Sequence, residues 1–137
     1  MRNYLNPSLD DDSIHKISNL GLAHVGDSVF EVMVRSMLAS DGVLTSRTLH
    51  KETINLVNAN AQAAGSKFIV DILTEEERAY FNRGRNSKPK TVPKSSSREQ
   101  YGLSTALETL FGYLYLKQKY DRINQLFDII MVNLRNV

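Results

Sequence analysis

Cysteine is absent from these 137 residues, so neither a disulfide nor a zinc–thiolate centre contributes to the fold or the chemistry. No run reaches the ~18 apolar residues of a membrane span; Glu31 and Arg35 interrupt the best candidate, residues 20–38. The opening residues, MRNYLNPSLDDD, lack the apolar centre of a signal peptide, and a cytoplasmic protein with no membrane partner is the expectation. Hairpin signals, internal repeats and histidine pairs with ligand spacing are also missing, so His15, His24 and His50 read as structural or surface residues. Apolar residues make up 42% of the chain, which argues against disorder and, at this length, for one domain over 1–137 with a real core.

Net charge is only +2, but it is unevenly spread. Residues 83–98, RGRNSKPKTVPKSSSR, hold Arg83, Arg85, Lys88, Lys90, Lys94 and Arg98 and no acid; the strip is +6 and the remainder −4. One cationic segment on an acidic body suggests a polyanionic partner. A solvated loop is the competing reading of the same run. Its lack of aromatic residues suits phosphate tracking better than base stacking.

The periodicity predicts an all-α fold. Residues 1–16 read as an irregular lead-in. A helix is expected from about Ser18 to Ala39, ended by Asp41–Gly42. A second helical region should run from Thr45 or Ser46 to about Leu73, bent or divided at Gly65. Thr74-Glu75-Glu76-Glu77 and Ser97-Arg98-Glu99-Gln100 have the form of capping boxes. They place helices from there to about Arg83 and about Gln118, with a basic loop over 84–98 between them. A last helix is expected from about Asp121 to Arg135.

The first long helix, LGLAHVGDSVFEVMVRSML, is apolar on more than one face, yet it carries Gly26 and Asp27 side by side. Glycine costs roughly 1 kcal/mol in a helix relative to alanine, and aspartate is rarely buried without a partner. The helix after the basic strip repeats these ingredients, with Glu108 and, one turn later, Gly112. A glycine on each helix lets the backbones approach. Two carboxylates brought together repel unless a cation lies between them, and a hard divalent ion, Mg²⁺ or Mn²⁺, suits oxygen ligands. The alternative is that Asp27 and Glu108 each pair separately. Glu31 is read as an intrahelical partner of Arg35, and Tyr101, Tyr113 and Tyr115 as packing residues, with Tyr101 facing the site.

LAHVGDSVFEVMVR resembles the signature helix of the ribonuclease III catalytic domain, and STALETLFGYLYL resembles that family's second metal-binding helix. Their order and spacing, the intervening RGRN and the absence of a double-stranded-RNA-binding domain resemble the stand-alone Mini-ribonuclease III subfamily. The likeness runs from about Ile17 to Lys117. It implies the ribonuclease III helical bundle, a homodimer, and Mg²⁺-dependent cleavage of double-stranded RNA, with Mn²⁺ as a substitute. For this subfamily it also implies maturation of the ends of 23S ribosomal RNA, with or without help from a ribosomal protein.

By the resemblance, Asp27 and Glu108 are the catalytic and metal-holding residues. From the basic strip, Arg83, Arg85, Asn86, Lys88, Lys90 and Lys94 are the expected RNA contacts, and the exposed apolar side of the first long helix is the candidate dimer face. Two further acids of full-length ribonucleases III fall on Ala23 and Thr105 here, so half the usual carboxylate set is missing, a reduction the subfamily shares. Thr109 replaces the alanine usual after the glutamate, a change expected to be tolerated. The missing acids motivate a competing reading, a non-catalytic double-stranded-RNA-binding protein with the same fold. A metal-dependent nucleotide pyrophosphatase is a third.

Overall fold

A computed structural model describes residues 1–87 and 97–136, and every regular element among them is helical. The helices are α1 (Asp11–Lys16), α2 (Asn19–Ser40), α3 (Ser46–Val57), α4 (Ala59–Ser66), α5 (Glu75–Arg85), α6 (Arg98–Leu116) and α7 (Tyr120–Arg135), with a 3-10 turn at Val70–Ile72. No helix among the described residues is long and apolar enough to cross a membrane.

Helix α6 is the axis of the bundle, because apolar or small side chains surround it. Leu103, Ala106, Leu107, Leu110, Phe111 and Leu114 are buried on it, and α2, α4, α5 and α7 all pack against it. Helix α2 lies along it with Leu22, Ala23, Gly26, Val29, Phe30, Val34 and Leu38 buried, a set at three- and four-residue spacing. Phe30 of α2 meets Phe111 of α6 and Phe127 of α7 edge to face, at 5.6 and 5.5 Å between ring centres. These rings join three helices at one point in the core, in the geometry that aromatic quadrupoles favour.

The caps explain where the helices start. Ser18 Oγ accepts from the Gly21 amide at 3.0 Å and opens α2. Both predicted capping boxes form: Thr74 with Glu77, and Ser97 with Gln100. Glu77 also carries a buried ion pair, with Arg122 of α7 donating from Nε and Nη2 at 2.9 Å. Burial alone would raise the Glu77 carboxyl, but the guanidinium and the Thr74 amide outweigh it and hold it below the usual range.

Three expectations need correction. The lead-in is not irregular throughout, since Asp10 accepts from the Ser13 amide at 2.7 Å and starts the short helix α1. The second helical region divides at Asn58 rather than at Gly65. Asn58 ends α3 and caps α4, accepting from the Ala61 amide at 2.8 Å while its own amide donates to the Ile54 carbonyl at 3.0 Å. That break resets the helical phase: α4 buries Gln62, Ala63, Gly65 and Ser66, while Ala64 is exposed. Gly65 serves packing instead, because a Cβ there would lie 2.7 Å from Ile130. The basic loop also begins later than expected, since Gly84 and Arg85 belong to α5 and Arg98 opens α6.

Candidate active site

Helices α2 and α6 cross in backbone contact, and two glycines permit it. A Cβ on Gly26 would lie 1.7 Å from the Glu108 carbonyl oxygen and 2.7 Å from the Gly112 nitrogen. A Cβ on Gly112 would lie 2.0 Å from the Leu22 carbonyl oxygen. The contact is reciprocal, with Leu22 and Gly26 on one helix facing Glu108 and Gly112 on the other. It fixes the site, since Asp27 follows Gly26 and Glu108 is the residue whose backbone Gly26 touches.

The two carboxylates therefore meet beside the crossing. Asp27 is exposed and Glu108 half-buried. Burial, reinforced by the hydrogen bond to Asp27 and by its negative charge, pushes the Glu108 carboxyl up to about 8. At neutral pH, without a cation, Glu108 keeps its proton and shares it with Asp27. The residues of the missing acids lie close by in the chain but offer no ligand charge. Ala23 is buried, and the Thr105 hydroxyl donates to the Tyr101 carbonyl at 3.0 Å. Among the described residues no group of three or more acidic or histidine side chains is arranged to hold a metal.

A pair of carboxylates still fits Mg²⁺, which keeps several waters and takes one or two protein carboxylates plus substrate phosphate oxygens. The same pair fits zinc poorly, because no histidine or cysteine joins it. Asp27 and Glu108 would hold the ion where they now share a proton.

The proton has a measurable consequence. Between the ordinary carboxyl value of 4.5 and about 8, the folded chain binds a proton that the unfolded chain releases, so stability falls as pH rises through that window. Metal-free wild-type protein should lose several degrees of melting temperature from about pH 5 to pH 8, and Glu108→Gln should lose less. Mg²⁺ should restore the wild type at the upper pH, releasing a proton on binding, and leave Glu108→Gln unmoved. Parallel pH profiles for the two proteins would contradict the raised carboxyl.

Gln62 was missed in the sequence. It is buried beside Glu108, its Oε1 accepts from the Ser104 hydroxyl, and its amide nitrogen works against the rise in the Glu108 carboxyl. That nitrogen points toward Glu108 without completing a hydrogen bond of ordinary geometry. The one signal was the Asn58 cap, which turns Gln62 onto the buried face of α4.

The basic residues divide. Arg83 is engaged within the fold: its Nε donates to Asn19 Oδ1 at 2.8 Å and its guanidinium lies 4.8 Å over the Tyr80 ring. Arg85 and Asn86 are exposed at the end of α5. The Arg85 carbonyl and side chain lie against Gly102 of α6, six residues before Glu108, or about 9 Å along the helix. Lys88, Lys90 and Lys94 lie outside the described residues.

Glu31 pairs with Arg35 at 2.8 Å, as its spacing predicts. Tyr113 is buried and stacked on Tyr80, and Tyr101 is half-buried near the start of α6. Thr109 is fully buried, with its hydroxyl bonded to the Thr105 carbonyl at 2.8 Å, so the extra oxygen is satisfied. His15, His24 and His50 are exposed. Leu20, His24, Ser28 and Val32 form an exposed line along α2, with Leu20 49% and Val32 57% accessible.

The family model described as Ribonuclease III domain matches residues 20–119. A Mini-ribonuclease 3 of Thermoanaerobacter sp. (strain X514) is 36% identical over 121 residues, 88% of this chain and 85% of that protein. A Mini-ribonuclease 3 of Clostridium tetani is 35% identical over 133 residues, 96% of this chain and 88% of that protein. The crystal structure of a Fusobacterium nucleatum protein superposes with a TM-score of 0.80 at 32% identity, covering 88% of this chain and 97% of that one.

Proposed function

The chain belongs to the ribonuclease III family and is an endoribonuclease of that type, and from this premise we propose that it cuts double-stranded RNA at an Mg²⁺ site held by Asp27 and Glu108. The observation that carries the proposal is the proton-sharing carboxylate pair at the Gly26–Gly112 crossing. A pair that keeps a proton to relieve its own repulsion is poised to exchange it for a divalent cation. When bound, such a cation supplies a Lewis acid at the scissile phosphate and lowers the pKa of attacking water.

The chain's own residues do the rest. Glu108, once deprotonated, would hold the ion together with Asp27, which is the more exposed of the two. Arg85 and Asn86, on the side of the site where α5 ends, contact flanking phosphates, and Lys88, Lys90 and Lys94 of the same basic strip add further phosphate contacts. The deep major groove of A-form RNA hides base edges, so recognition rests mainly on duplex shape and backbone. Two strands need two sites, and a symmetric pair of chains joined through the Leu20–Val32 line of α2 supplies them. The physiological substrate proposed is the paired ends of the 23S ribosomal RNA precursor in the cytoplasm. That part rests on the family likeness alone, as does any help from a ribosomal protein.

Duplex cleavage with Mg²⁺, with Mn²⁺ and with chelator tests the reading. Cutting should require the ion. Tight binding without metal-dependent cutting would point to the competing non-catalytic RNA-binding role, which the missing acids at Ala23 and Thr105 motivate. Hydrolysis of free nucleotides but not of duplex RNA would favour a pyrophosphatase. The basic residues have their own test. Replacing Arg85, Lys88, Lys90 and Lys94 with glutamine should weaken RNA binding and flatten its log–log salt slope by up to about 0.9 for each phosphate no longer neutralised. An unchanged slope would leave the strip a solvated loop.

A further inference from the structure

Gln62 is 2% exposed and lies with its side chain against Glu108. Its Oε1 accepts a hydrogen bond from the Ser104 hydroxyl, whereas Nε2 has no hydrogen-bond partner. Among the described residues only the Thr53 hydroxyl is likewise a buried polar side-chain atom left unpaired, so an unused donor beside a carboxylate calls for an acceptor. Ser104 and Glu108 stand one turn apart on the same face of α6, and the Gln62 amide spans the two.

We propose that Gln62 is a positioning residue for the cation, donating from Nε2 to the outer oxygen of the Glu108 carboxylate so that the other oxygen faces the ion. The inference rests on the metal reading of the site. An ionised Glu108 selects this amide orientation, because the flipped one would set two acceptors against each other. Ser104 holds the amide from the far side. Neither Ala23, which is buried, nor Thr105, whose hydroxyl is spent on the Tyr101 carbonyl, offers Glu108 such a partner. A metal-ligating carboxylate needs such an outer partner, and removing one lowers metal affinity by about 10–100-fold.

The test is Mn²⁺ binding to the RNA-free protein, followed by calorimetry beside the metal-free melting temperature. Gln62→Met keeps the length and removes the donor, and should weaken Mn²⁺ binding at least about tenfold while leaving the melting temperature level or higher. Ser104→Ala frees the amide to turn and should weaken binding several-fold; it decides the matter if Gln62→Met does not fold. Wild-type Mn²⁺ affinity in a folded Gln62→Met, or in Ser104→Ala where that variant alone folds, would overturn the inference and leave the metal reading intact. So would losses of affinity matched by large losses of melting temperature, the sign of a merely structural glutamine. A wild type that binds no Mn²⁺ would overturn the metal reading itself, and this inference with it.

Discussion

Asp27→Asn and Glu108→Gln should each bind duplex RNA and cut it at least about a thousandfold more slowly, a loss near 4 kcal/mol of transition-state stabilisation. Each removes one of only two ligand charges, and among the described residues no third acid is placed to substitute. The two should differ in detail. Asp27 is exposed, so its replacement removes a charge facing the RNA backbone, and binding without metal should hold or tighten. Glu108 is half-buried and holds a proton in the absence of a cation, so glutamine there resembles the metal-free state and should keep the fold. Residual cleavage within tenfold of wild type in either variant would put the metal elsewhere.

Gly26→Ala should be the most disruptive single methyl in the chain. Its Cβ would fall 1.7 Å from the Glu108 carbonyl oxygen, and the obstacle is backbone rather than the end of a side chain that can swing away. Overpacking a core costs about 1–3 kcal/mol and occasionally more. With a helix axis as the thing displaced, we expect at least about 3 kcal/mol, or roughly 10 °C of melting temperature for a domain of this size. Any folded remainder would hold Asp27 and Glu108 farther apart and should lose metal-dependent cleavage as well. Gly112→Ala, with its Cβ 2.0 Å from the Leu22 carbonyl oxygen, should behave alike. Wild-type melting and cleavage in either variant would mean that the two helices do not cross in backbone contact in solution.

Local signals written in adjacent residues were legible in the sequence. Both capping boxes, the start of α2 and the all-helical class follow from hydroxyls and amides three residues apart and from apolar spacing, which need no knowledge of the rest of the chain. The paired irregularities, Gly26 beside Asp27 and Glu108 followed by Gly112, also stand out locally, because each breaks a rule of helix composition. The sequence determined by itself that two helices are built to touch and that each carries an acid.

Only the tertiary structure decided what surrounds that contact. The Asn58 cap resets the phase of α4 and turns Gln62 inward, whereas the sequence placed the bend or division at Gly65. Arg83 reads as a phosphate contact within a basic strip, yet Asn19, distant in sequence, takes up its Nε. The strength of the Glu108 proton depends on burial and on Asp27, 81 positions away in the chain. Such terms fall off over a few ångströms of space, and distance along the chain carries no information about them. The pattern of residues set the helices and their two acids; packing decided which neighbours hold those acids in place.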